Sequence, residues 1–236
     1  MSRLTRALDC VVAVAVVAIL VPGAAPAPLA AQRSPAPGAA AFTLRQLKSY
    51  PFPNELNAAS KANRIAWAFN EEGVRNIWVA EGPEYKARRL TRYDADDGQE
   101  LTSVQLSPDG RFVVYVRGGD HGSNFDDELP VNPLGMPSPV RVEIWSVAFG
   151  GGEPRSLGEG EAPVVSPRGD VVAFERDRQL WTAPVDGSAP ATRLFTARGS
   201  NGDATWSPDG SRLAFVSGRG DHAFIGIYTS PDTPIT

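Results

Sequence analysis

Trp206-Ser207-Pro208-Asp209-Gly210-Ser211-Arg212-Leu213-Ala214-Phe215-Val216-Ser217 reads as the end of one strand, a tight turn and a second strand. Ser207 suits the first position of a type I turn, and Pro208 pre-sets φ at the second. Asp209 is tolerated at the third, and Gly210 supplies the left-handed residue that closes a bulged hairpin. Leu213 to Val216 is apolar throughout, so this strand is expected to be covered on both faces. The unit recurs as Ser107-Pro108-Asp109-Gly110 before Phe112–Val116, and as Ser166-Pro167-Arg168-Gly169 before Val171–Phe174. Arg168 stands where a type I turn is least particular.

Two further cues accompany the hairpin. An aromatic strand appears as Asn76-Ile77-Trp78-Val79-Ala80, Glu143-Ile144-Trp145-Ser146-Val147, Gln179-Leu180-Trp181-Thr182-Ala183 and Gly226-Ile227-Tyr228-Thr229-Ser230. A short Arg/Leu segment follows three of them, at Arg89-Leu90-Thr91, Arg155-Ser156-Leu157 and Arg193-Leu194-Phe195. The order never changes, which makes four strands per unit. Ser166 and Ser207 are 41 residues apart, close to the ~40–45 of a four-stranded propeller blade. Ser107 to Ser166 is 59, and the excess falls at Gly118 to Pro139. Ser60-Lys61-Ala62-Asn63 reads as a degenerate first copy.

The expected fold is therefore all-β: an incomplete β-propeller of four-stranded blades, about three and a half of them. The blades are placed at about 57–100, 101–161, 162–202 and 203–236. Each blade gains mainly by packing on the next. A propeller closes with ~4–8 blades, so the sequence is expected to be truncated. The competing architecture, a β-sandwich, does not explain three cues in fixed order.

Residues 1–31 read as a signal peptide. Arg3 and Arg6 precede an apolar run from Cys10 to Val21, too short for the ~20 residues of a membrane span, and Leu29-Ala30-Ala31 suits cleavage. The other reading of this segment is a membrane anchor. A Pro/Ala linker covers 32–44 and the partial propeller 45–236. Thr43 can cap one helical turn that Pro51-Phe52-Pro53 ends. Cys10 is the only cysteine and leaves with the signal. Disulfides, thiolate metal sites and cysteine nucleophiles are thereby excluded from the mature chain. The net charge of −4, without a basic block, argues against nucleic acid as a partner. The expected location is periplasmic or secreted, with no membrane association after cleavage.

The hairpin unit resembles the repeats of TolB-like propellers. A wider pattern includes Pro51-Phe52-Pro53, Asn76–Ala80, Asp96-Asp97-Gly98-Gln99-Glu100-Leu101, Tyr115–Asp120 and Asp221-His222-Ala223-Phe224-Ile225-Gly226. It resembles the propeller part of exported serine peptidases of the prolyl oligopeptidase family, nearer the dipeptidyl peptidase IV-like branch. The resemblance covers about 45–236. It implies a domain that limits access of peptides to an α/β-hydrolase carrying a Ser/Asp/His triad. No Gly-x-Ser-x-Gly elbow occurs here, so no triad residue transfers. The implied role is a non-catalytic segment that gates and orients peptide substrates. A periplasmic TolB-like propeller acting through protein contacts, or a propeller fused to an amidohydrolase, are the alternatives.

Two loops share a sequence: Arg117-Gly118-Gly119-Asp120-His121 and Gly218-Arg219-Gly220-Asp221-His222. Both follow the second strand of a unit, so both belong to the rim opposite the Ser-Pro-x-Gly turns. Arg117, Asp120, His121, Asp221 and His222 are the candidate substrate-facing residues. Arg117 can pair with a peptide carbonyl or carboxylate, and Asp120, Asp126, Asp127 and Glu128 can attract an amino terminus. The other account of the same residues is turn chemistry on a solvated loop. No cofactor or metal site is expected, because the two histidines fall in non-adjacent units. Gly218-x-Gly220-x-x-Ala223 precedes a strand where a dinucleotide fingerprint needs a helix. The five tryptophans read as packing residues.

Overall fold

The computed structural model describes residues 42–119, 141–233 and 235–236. The signal segment, most of the linker, and the loop holding Asp120, His121, Asp126, Asp127 and Glu128 lie outside the described residues. Residues 43–236 form one compact unit. A one-turn helix, α1 (Leu44–Lys48), opens it. Thr43 caps α1, its hydroxyl accepting the Gln46 N–H at 3.1 Å while the Gln46 side chain accepts the Thr43 N–H at 2.9 Å.

Four antiparallel meanders follow. The first sheet holds β1 (Phe52–Ala58), β2 (Arg64–Glu71), β3 (Val74–Glu81) and β4 (Arg88–Arg89). The second holds β5 (Leu101–Leu106), β6 (Phe112–Arg117), β7 (Glu143–Ala148) and β8 (Arg155–Glu159). The third holds β9 (Glu161–Val165), β10 (Val171–Arg176), β11 (Gln179–Pro184) and β12 (Thr192–Arg193). The fourth holds β13 (Ser200–Trp206), β14 (Leu213–Gly218) and β15 (Ala223–Tyr228). At the outer edge of β15, Ile227 and Thr236 exchange two backbone hydrogen bonds, of 2.7 and 3.3 Å. The first strands β1, β5, β9 and β13 approach one another in succession, so the sheets fan out from a common inner edge as propeller blades. The first sheet starts at Phe52, upstream of residue 57, with a strand that is polar and largely exposed. Asn54, Glu55 and Asn57 carry no apolar alternation that would mark it as a strand.

Three apolar layers hold the sheets face to face. Ala66, Ile77 and Val79 meet Leu101, Val113 and Tyr115 between the first and second sheets. Val114, Val116 and Ile144 meet Val172 and Phe174 between the second and third, and Ala173 and Leu180 meet Leu213 and Phe215 between the third and fourth. β6 is thus buried on both faces. The expectation of the same for Leu213–Val216 is corrected. Leu213 and Phe215 are in the core, but Ala214 and Val216 are half-buried and share their face with the exposed Ile225 and Ile227. Among the described residues, this sheet packs through one face only.

The register brings a second correction. Trp78, Trp145 and Trp181 occupy one equivalent position, opposite Trp67, Tyr115 and Phe174. In the fourth sheet that position is Gly226, opposite Phe215, and Tyr228 stands two residues further along. A Cβ on Gly226 would lie 2.3 Å from the Phe215 ring. The phenyl ring takes the place that an indole fills elsewhere.

The inner strands share a device with no sequence signature. Each carries a bulge, and a non-glycine residue there has positive φ: Glu55 at 59°, Ser103 at 52°, Ala162 at 48° and Asp203 at 51°. Such bulges increase local twist, here at the edge where the blades converge.

At the opposite end of the inner strands, the hairpin turns are tied together. Gly110, Gly169 and Gly210 take φ of 71°, 75° and 67°, as their turn position requires. Asp109 and Asp209 are not indifferent occupants. Each accepts the Ser hydroxyl two residues back at 2.6 Å and the N–H two residues on at 3.0 Å. Arg168 forgoes that cap and donates to the Asp209 carbonyl of the next turn at 3.0 Å.

Candidate functional rim

The loops joining second to third strands all emerge at one end of the sheets. Arg117 is the last residue of β6, opposite Leu101 and Glu143. Its guanidinium is paired with the Asp97 carboxylate and lies 4.4 Å from the Tyr93 ring centroid. Asp97 is set by its own turn, accepting the Gln99 N–H at 3.0 Å. Arg117 is therefore a held cation, oriented by an acid and an aromatic face. Sequence reading named Arg117 without either partner. The signal was present as Asp96-Asp97-Gly98, an acidic turn preceding β5.

Beneath Arg117, the Tyr93 and Tyr115 hydroxyls meet at 2.7 Å. Burial pushes the Tyr115 hydroxyl well above the usual tyrosine range, and Tyr93 adds to the shift against the opposing charge of Arg117. Burial raises Tyr93 as well, against its hydrogen bond to Tyr115 and the Arg117 charge. Both remain neutral donors and acceptors at physiological pH.

Asp221 and His222 occupy the β14–β15 loop, at the same end of a sheet two blades away. His222 Nδ1 and Asp221 Oδ1 are 2.6 Å apart, both side chains are exposed, and the imidazole stands edge-on to Phe224 at 5.1 Å. Arg219 N–H donates to the His222 carbonyl at 2.8 Å, closing the loop. The third sheet lies between Arg117 and this pair. Asp120 and His121 fall outside the described residues. The described histidine is thus a surface group oriented by its neighbour.

The rest of the rim alternates charge. Arg75 faces Asp96 at 3.8 Å and Arg176 faces Asp177 at 3.5 Å. Glu175, half-buried, accepts the Asp203 N–H at 2.7 Å across to the next inner strand. Burial raises its pKa, and the nearby Asp203 and Glu161 charges reinforce that despite the hydrogen bond. Sequence reading passed over Glu175 because its partner lies 28 residues on, in another sheet. A cavity of about 180 Å³, whose lining includes Asn54, Arg75, Glu100 and Thr102, opens here between the first two sheets. No group of three or more potential metal ligands occurs among the described residues.

No protein-family model matches the chain, and no curated protein does. Solved structures do. TolB from Acinetobacter baumannii superposes with a TM-score of 0.51 at 18% identity, covering 78% of this chain and 43% of TolB. A prolyl endopeptidase superposes with a TM-score of 0.55 at 10% identity, covering 80% of this chain and 29% of the enzyme. The acylaminoacyl peptidase of Pyrococcus horikoshii gives a TM-score of 0.50 at 18% identity, covering 75% and 31%. The chain spans less than half the length of each. At these identities the likeness shows the fold alone: β-propeller blades like those in TolB and in these two peptidases.

Proposed function

We propose that the chain is the non-catalytic propeller segment of an exported serine peptidase of the prolyl oligopeptidase family. In this reading it gates and orients peptides for an α/β-hydrolase domain outside these 236 residues, and segment 1–31 directs export. The observation that carries the reading is the blade order. Hairpin, aromatic strand and Arg/Leu strand repeat in a fold like that of two peptidases. Arg117, held from behind by Asp97 and Tyr93, keeps guanidinium donors for a peptide carbonyl or carboxylate. The carboxylates of Asp221 and Asp120 supply negative charge for an amino terminus.

The test uses the full-length gene product. Arg117→Ala is expected to raise the KM for peptides about tenfold, the cost of one charge-assisted hydrogen bond. An unchanged KM removes the substrate role. A fluorophosphonate probe should label a serine beyond residue 236 and leave the 236-residue chain unlabelled. Labelling within the chain overturns the non-catalytic reading. The likeness to TolB favours one second reading, a periplasmic propeller acting through protein contacts. Only further blades downstream, with no probe labelling, would select it.

A further inference from the structure

We propose that a cleft at the hairpin-turn end of the first two sheets, away from the rim, binds a small phosphate-bearing molecule. The cleft has a volume of about 270 Å³ and lies between β4 and the β7–β8 loop, with Arg88, Arg89 and Arg92 on one side and Gly150-Gly151-Gly152 on the other.

The arginines are arranged for an anion. The Arg88 guanidinium donates to the Phe149 carbonyl and lies 5.1 Å from the Phe149 ring centroid, which fixes its position. Among the described residues, the Arg89 guanidinium has one loose ion pair, with Asp94 at 3.5 Å. Arg92 is exposed and has no ion pair or hydrogen bond among the described residues. A chain with net charge −4 thus lines one small cleft with three arginines. A guanidinium fork matches phosphate oxygens in pairs.

The glycine loop is the second, independent observation. Gly151 and Gly152 have φ of 113° and 118°, which account for glycine there. Gly150 has no such reason. Its φ is outside the positive region, and a Cβ would meet nothing within 4 Å. Of the three, only Gly151 gives its N–H to another backbone group among the described residues, the Ala148 carbonyl at 2.9 Å. A glycine that neither conformation nor packing demands leaves backbone open to close approach, and free N–H groups in a turn attract anions. Glu153 is the opposing charge in the cleft. The volume admits a phosphate with a short organic substituent.

The probe is inorganic phosphate, titrated calorimetrically into the full chain at fixed ionic strength. Saturable binding with a Kd of about 1 mM or tighter is expected. Arg92→Ala should weaken it about tenfold. Glu153→Gln should tighten it, since it removes the like charge. Gly150→Val should abolish it by filling space in the cleft, while leaving the urea midpoint unchanged, because a Cβ there meets no protein atom within 4 Å. A sugar phosphate should bind where the free sugar does not. Chloride matching phosphate in effect, or wild-type phosphate binding in both Arg92→Ala and Gly150→Val, overturns the proposal.

Discussion

The Asn57 side-chain carbonyl accepts the Leu106 backbone N–H at 2.9 Å, from one inner strand to the next. The relationship repeats one blade on, where Gln105 accepts the Val165 N–H at 3.1 Å and donates to the Pro163 carbonyl at 2.5 Å. Asn57 and Gln105 occupy the same register position, opposite Ala66 and Val114. In the third sheet that position is Val164, which has no side-chain acceptor, and the bond reverses: Trp206 Nε1 donates to the Val164 carbonyl at 3.1 Å. The first three blades are thus joined at their inner edge by one geometry, and the third and fourth by its reverse. Replacing Asn57 or Gln105 by Leu leaves a backbone donor of the next strand without its partner and should cost about 1–3 kcal/mol. Asn57→Asp keeps the acceptor and should cost less. Urea denaturation of the full chain, followed by tryptophan fluorescence, measures both.

The two tyrosine hydroxyls under Arg117 form a closed pair. Tyr93→Phe strands the buried Tyr115 hydroxyl and should destabilise by about 1–3 kcal/mol. Tyr93→Phe combined with Tyr115→Phe removes both polar groups and should cost less than the two single changes added together. Strict additivity in the cycle would show that the pair carries no coupling.

Glu175 gives a pH dependence of defined sign. Its folded pKa is raised, chiefly by burial. Above the unfolded value near 4.5, the folded chain holds more protons than the unfolded one, so stability falls as pH rises through the folded pKa. Glu175→Gln keeps an acceptor for Asp203 N–H and removes the charge. It should stabilise by about 0.5 kcal/mol at pH 7, a figure kept small because the group is half exposed, and change nothing at pH 4. Urea midpoints at the two pH values decide it; a gain confined to pH 4 contradicts the sign.

Gly226 and Phe215 form a small–large pair where other blades pair two large rings. Phe215 also packs on Phe195 at 4.7 Å, which in turn meets Tyr228 at 5.4 Å. Gly226→Ala forces the Phe215 ring aside and should cost about 1–3 kcal/mol. Phe215→Leu in the same chain should recover part of that loss, seen as a melting temperature above that of Gly226→Ala alone.

The residue string by itself determined the blade repeat. Turn preferences at Ser207-Pro208-Asp209-Gly210, and runs such as Val113–Val116, act within a few residues, so the local pattern suffices to read them. Arg117 was legible as a candidate for the same reason. What Arg117 touches was not, because Asp97 reaches it from 20 residues away, across a strand pairing that only folding creates. The four positive-φ bulges were hidden too. Two acids, a serine and an alanine hold these positions, so no single side-chain type marks them, and packing of the inner strands imposes their conformation. The tertiary structure alone also decided that Gly226, and not Tyr228, stands where the tryptophans do. A shift of two residues leaves the face of a strand unchanged, so sequence alternation cannot distinguish the two, whereas the Phe215 ring over Gly226 leaves room for one answer only.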